Sequence, residues 1–203
     1  MKLGKEAMEA LQTEITGCLR PGDELLVVAP VALAGTSILV KEKQEELRNY
    51  FSQGFLLGAE KLWQDYGVTE MNKILDMAKE AGASAWYEMG EGGFLSALWK
   101  MAEVSQVGLI TDFRKVPIRQ ETIEVCEIFG VNPYRLYAKG AVLVGIPSGE
   151  ALAFQYENIG LLAAVIGQTN SGNDRLLYSG GNARYLERPA EDEIKGVIKT
   201  WQG

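Results

Sequence analysis

Three short runs, Glu24 to Ala29, Gly140 to Ile146 and Leu162 to Gln168, carry, apart from the terminal Glu24 and Gln168, apolar or glycine residues at successive positions where a half-exposed strand would alternate. Continuous apolar runs of this length are strands covered on both faces. The sheet they build must therefore lie between two layers of helix, and helical patterns are present to supply them. Leu3, Ala7, Met8, Leu11, Ile15 and Leu19 form one apolar stripe, so residues 4–19 are expected to be an amphipathic N-terminal helix, broken by Arg20-Pro21-Gly22-Asp23. Further helices are predicted over 43–66, bending near Gly54 and Gly58, over 72–81 after Thr69 and before Gly82, and over 93–105. Others follow over 120–129 up to the cap Gly130, over 150–158, and over 191–199 after Pro189. Strands are predicted over 84–88 and 107–111. A terminal ribbon has arms over 175–178 and 183–186, with turns at Gly172 to Asp174 and at Gly180-Gly181. Helices and strands alternate irregularly, which predicts an α+β fold: a mixed sheet flanked by helices in three α/β/α layers, with no repeat and no doubly wound parallel sheet. The domain reading is a helical arm over 1–19 and one domain over 20–203.

Composition narrows the chemistry. The chain has 203 residues and 47% hydrophobic content, enough for a core without staples. Lysine and arginine number 20 against 27 aspartates and glutamates, and the net charge of −7 repels a phosphate backbone, so nucleic acid is not an expected partner. There is no histidine, which removes Ser-His-Asp and Cys-His nucleophiles, histidine general bases and histidine metal sites. Cys18 and Cys126 are far apart and match neither a zinc site nor a Cys-x-x-Cys; both are expected as buried free thiols in a reducing compartment. The start Met1-Lys2-Leu3-Gly4-Lys5-Glu6 lacks the apolar run of a signal peptide, and no segment reaches the ~18 apolar residues of a membrane span. A soluble cytoplasmic protein is the expectation.

The segment with most chemical content is Trp86 to Leu98, where a strand enters a turn holding Gly90, Gly92 and Gly93 and a helix begins directly after it. Free backbone N–H groups at a positive helix end favour an anion, and Gly90, Glu91, Gly92 and Gly93 are the candidate phosphate-binding residues. The same glycines also suit a turn that needs them only for backbone conformation, and Glu91 opposes a phosphate unless a metal intervenes. Glu88, closing one predicted strand, and Asp112, directly after another, are the candidate metal or substrate contacts. No catalytic residue and no metal cluster is assigned. Asp112 with Arg114 and Lys115 also fits a solvated rim, Asn170, Ser171, Asn173 and Asp174 fit a turn, and Trp63, Trp86, Trp99 and Trp201 fit core or interface.

Residues 92–103, Gly-Gly-Phe-Leu-Ser-Ala-Leu-Trp-Lys-Met-Ala-Glu, resemble the opening of the long helix in the C-terminal domain of the aminoimidazole ribonucleotide synthetase superfamily. Within it the likeness is greatest to the hydrogenase maturation branch. The resemblance extends in the family's order through residues 21–28, 35–39, 117–122, 129–136, 140–143, 164–167 and 188–193, covering Leu19 to Ile198. It implies that fold and a place beside an ATP-binding domain, whereas here only some 19 residues stand ahead of the match. Two more departures matter. The hydrogenase branch is modified on a C-terminal cysteine, whereas Thr200-Trp201-Gln202-Gly203 ends this sequence, so that carrier chemistry is not transferred. Where relatives carry a His-Asp-Pro-Thr type sequence before the glycines, this chain has Tyr87-Glu88-Met89-Gly90. Three readings follow. One is a non-catalytic binding or assembly module that forms a homodimer or docks on a separate ATP-binding protein. The second is a subunit of an ATP-dependent enzyme holding a phosphate of ATP, with magnesium, at Gly90 to Gly93. The third is a sensor of a phosphorylated metabolite.

Overall fold

Glu24–Val28 (β2) runs through the middle of an eight-stranded sheet in the computed structural model, which describes residues 4–66 and 71–202. Val142–Ile146 (β5) and Ala163–Asn170 (β6) flank it, both antiparallel, so the three runs expected as doubly covered strands are neighbours. Leu25, Leu26, Val27 and Val28 are fully buried. At ~2 kcal/mol each, these four side chains alone bring on the order of 8 kcal/mol of gross burial free energy. Outward from β5 lie Ala85–Glu88 (β3) and Thr16–Gly17 (β1). Outward from β6 lie Gly108–Asp112 (β4), Arg175–Ser179 (β7) and Asn182–Tyr185 (β8). Among the described residues only β4 and β7 pair in parallel, so the sheet is mixed.

The alternation of β2 sorts the layers. Leu25 and Val27 face Gly93–Ser105 (α6) and the apolar side of Lys5–Glu14 (α1), where Met8 and Leu11 pack. Leu26 and Val28 face Met71–Glu80 (α5) and Gly149–Asn158 (α8). A third block, formed by Leu33–Glu42 (α2), Gln53–Asp65 (α4), Gln120–Phe129 (α7) and Ile194–Val197 (α9), follows the carboxyl end of β2. The turn into α2 places Ala29 (φ 68°) and Ala32 (φ 62°) in the left-handed region, at a cost of ~1–2 kcal/mol each. It is held by Ala29 N–H on the Leu162 carbonyl (2.8 Å) and Val31 N–H on that of Pro117 (2.9 Å).

Several local expectations change. Helix α2 was not predicted, because seven of its ten residues are buried and no polar face marks it. The helix expected over 43–66 is divided: α2 ends at Lys43, Gln44–Leu47 (α3) forms a separate turn, and α4 starts where the Ser52 hydroxyl accepts from Phe55 N–H. The helix expected over 191–199 shrinks to α9, ahead of which the Asp192 carboxylate accepts from Ile194 N–H (3.0 Å) in an Asx-type turn. Gly172 to Asp174 joins β6 to β7, which do not pair; β4 lies between them. Residues Leu3 and Thr69, used in the helix predictions, lie outside the described residues. On the face opposite α6, the β4–β7–β8 end of the sheet leaves Ile110, Tyr178 and Tyr185 exposed.

Candidate functional site

The turn from β3 into α6 is fixed from three sides. Met89 N–H donates to the Ala141 carbonyl (2.8 Å), and the Gly90 carbonyl accepts from Gly93 (3.1 Å) and Ala138 (3.2 Å). Gly92 (φ 75°) and Gly93 (φ 64°) are left-handed. A Cβ on Gly93 would sit 2.6 Å from the Leu136 carbonyl oxygen and 2.8 Å from that of Tyr134, whereas one on Gly90 would meet nothing within 4 Å. Close packing of the turn against residues 134–136 is thus sufficient reason for Gly93. Gly92 is constrained by its φ and by Ser96, whose Cβ would be 2.8 Å away.

The Gly92 amide, at the positive end of α6, already holds an anion. It donates to the Asp192 carboxylate (2.8 Å), whose other oxygen accepts from Tyr137 (3.2 Å) and Ile194 (3.0 Å). Asp192 is only 3% exposed. Burial pushes its pKa above the ordinary carboxylate value; the amides of Ile194, Gly92 and Tyr137 pull the other way without cancelling it, and the nearby Glu91 adds to the rise. Glu91 itself is exposed and pairs with Lys195 (3.4 Å).

Glu88 and Asp112 are not brought together. Both lie at carboxyl ends of strands that run the same way, but β5, β2 and β6 separate β3 from β4. Four strand spacings put them roughly 19 Å apart, too far to share one cation. Glu88 accepts from the Gly140 amide (3.3 Å). Asp112 caps the short turn Phe113–Lys115, accepting from Arg114 N–H (3.1 Å) and pairing with its guanidinium (2.9 Å), and these contacts lower its pKa. No group of three potential metal ligands occurs among the described residues.

Beside Gly92 lies a small cavity of about 10 Å³, bordered by Ser96, Arg135, Arg184, Glu187 and Arg188. It holds one water at most. Arg135 is paired with Glu187, and Arg184 lies over the Phe113 ring at 5.4 Å. Asp192 and Arg135 were not singled out from the sequence. Reading Asp192 as an Asx-turn residue ahead of a shorter final helix was the signal available. Of the cysteines, Cys126 is buried, with a thiol pushed up to about 12 by burial, while Cys18 is exposed, contrary to expectation; both are free. The Asn170 side chain accepts from Gly172 N–H (2.8 Å), ordinary turn chemistry.

Known proteins place this architecture. Carbamoyl dehydratase HypE of Rhodobacter capsulatus is 26% identical over 188 residues, covering 89% of this chain and 52% of the relative. The chain therefore spans about half the length of that relative. The Escherichia coli HypE structure superposes with a TM-score of 0.69 at 20% identity over 86% of this chain and 52% of its own. HypE structures in complex with ATP and with HypF give TM-scores of 0.61 and 0.58, at 19% and 21% identity over 87% and 84% of this chain and 53% and 54% of theirs. Thiamine monophosphate kinase of Aquifex aeolicus gives 0.56 at 19% identity over 82% of this chain and 52% of its own. One fold thus serves proteins of different names, and it does not select a reaction. Residues 20–178 match the model of the AIR synthase related protein, C-terminal domain, and the chain belongs to that family.

Proposed function

We propose that this chain is a non-catalytic binding and assembly module of the cytoplasm, which pairs with a second copy and docks against an ATP-binding unit. One observation carries the reading: the Gly92 amide that would meet a phosphate is occupied by Asp192. The remaining candidates are engaged in the same way, Glu88 by Gly140 and Asp112 by Arg114, at separated positions. Ile110, Tyr178 and Tyr185, exposed on one sheet face, supply apolar surface for docking. The second reading, a subunit of an ATP-dependent enzyme using Gly90 to Gly93, draws support from the ATP complex of HypE.

Thermal melting with and without ATP and magnesium separates the two. Ligand at 100 times its dissociation constant adds ~2.7 kcal/mol, or roughly 5–10 °C for a chain of this size. No shift is expected for the isolated chain, and a saturable shift would transfer support to the enzyme reading. Sedimentation at micromolar concentration should show a dimer; a clean monomer removes the self-pairing element.

A further inference from the structure

We propose that the open β4–β7–β8 end of the sheet is covered by α8 of a second copy of this chain, about a two-fold axis running along β4. The inference deepens the self-pairing element of the proposed function and rests on it. Two rows of side chains cross this end in register on the face opposite α6: Gln168, Ile110, Leu176 and Tyr185, then Asp112, Tyr178 and Ala183. Ile110 is 47%, Tyr178 38% and Tyr185 66% exposed. On the same face α8 covers β2 and β6, its Leu152 and Tyr156 packed with Leu26 and Val28. The strand order β2-β6-β4-β7-β8 makes the covered pair and the open pair equidistant from β4. A two-fold along β4 therefore lays the second α8 over β7 and β8, and the first α8 over the same strands of the second copy. The two helices then lie three strand spacings apart, roughly 14 Å, wider than the ~8–10 Å of helices in direct contact. Phe154, 63% exposed on α8, fills the difference, one from each copy. Beneath it the sheet surface carries a depression of about 320 Å³ bordered by Ile110, Lys115 and Gln168.

Charge selects a second copy as the occupant. A net charge of −7 opposes pairing except through surfaces whose charges are absent or matched. Opposite its buried Leu152, Ala153 and Tyr156, α8 exposes Ala151, Phe154, Gln155 and Asn158, none of them charged. In the open face the Asp112 carboxylate is neutralised by Arg114. Because α8 joins β5 to β6, which run the same way, it runs opposite to both and along β4. An axis parallel to the strands preserves that direction. Exposed Glu157, near the carboxyl end of the second α8, thus comes level with exposed Lys115, just beyond the carboxyl end of β4. Each copy offers one acidic and one basic group, so this pairing is made twice, as an isologous contact requires. A standard interface takes about 800 Å² from each partner. Ile110, Tyr178, Tyr185 and Phe154 supply roughly 400 Å² of apolar side chain as its centre.

The test is sedimentation equilibrium of the full chain over a concentration series, with melting curves to confirm that each variant is folded. Phe154→Glu and Tyr185→Glu place a carboxylate against an apolar surface of the second copy, and each should weaken the dimer roughly ten-fold or more. Tyr50→Glu makes the same change at a tyrosine that is exposed elsewhere, on the loop after α3, and should leave the dimer at wild-type strength. Lys115→Glu and Glu157→Lys should each weaken it, and the double variant, whose net charge equals that of wild type, should recover most of the loss. Tyr185→Glu and the charge exchange decide the matter should Phe154→Glu fail to fold. A monomeric wild type removes self-pairing altogether, and this inference with it. A dimer that both Phe154→Glu and Tyr185→Glu leave intact, or that Tyr50→Glu weakens equally, keeps self-pairing and overturns its assignment to this face. A double variant no stronger than its two parents overturns the axis along β4.

Discussion

Replacing Gly93 by alanine is the sharpest probe of why the turn before α6 is made of glycine. The new Cβ would lie 2.6 Å from the Leu136 carbonyl oxygen and 2.8 Å from that of Tyr134, both backbone atoms that cannot rotate away. Holding alanine at φ 64° costs ~1 kcal/mol, and pushing apart the packed backbone adds about 1–3 kcal/mol. The sum, ~3 kcal/mol, corresponds to a fall in melting temperature of roughly 6–12 °C. Gly90→Ala is the internal control: its Cβ meets nothing within 4 Å, and its stability should change by no more than ~0.5 kcal/mol. Calorimetry or circular dichroism melting in phosphate-free buffer measures both. If Gly93→Ala melts within about 2 °C of Gly90→Ala, the difference expected from under 1 kcal/mol, close packing is not what demands glycine there.

Two further outcomes follow from buried polar groups. Because burial raises the Asp192 pKa above its unfolded value of 3.8, the folded state holds this proton more tightly than the unfolded chain does. The associated stability is present below 3.8 and is lost as pH rises through the folded value, so wild type should lose stability relative to Asp192→Asn across that window. Melting curves for both proteins in buffers from pH 3.5 upward measure it, and a trend of opposite sign would contradict the stated balance of burial and hydrogen bonds. Tyr156 is fully buried on α8 and donates to the Ile74 carbonyl on α5 (2.7 Å). Tyr156→Phe should lower stability by about 1–2 kcal/mol in urea titration, and no loss would show that this bond does not help fasten the two helices.

The parts of the fold legible in the sequence are those whose environment is written locally. The runs around Val27, Leu143 and Val165 mark strands because both faces are apolar, and Gly130 marks the end of α7 because its left-handed φ suits glycine. Helix α2 escaped because Thr36 and Ser37 are buried polar residues, satisfied by Thr122 and the Ala59 carbonyl, which erases the polar stripe that reveals a surface helix. The candidate site divides along the same line. Strand, glycine turn and helix were readable around Gly92, but its anion arrives from 100 residues downstream. Likewise Glu88 and Asp112 were each readable as strand ends, while the order of strands that separates them is a property of the sheet.

The outermost strands have a consequence for solubility. The two-residue β1 covers part of the β3 border, and at the far side the four-residue β8 offers only a brief row of unsatisfied peptide groups beside charged Arg184. Short, charged borders are poor templates for the lateral growth that leads to fibrils. Edge-to-edge pairing of sheets between copies is accordingly disfavoured at the β8 border.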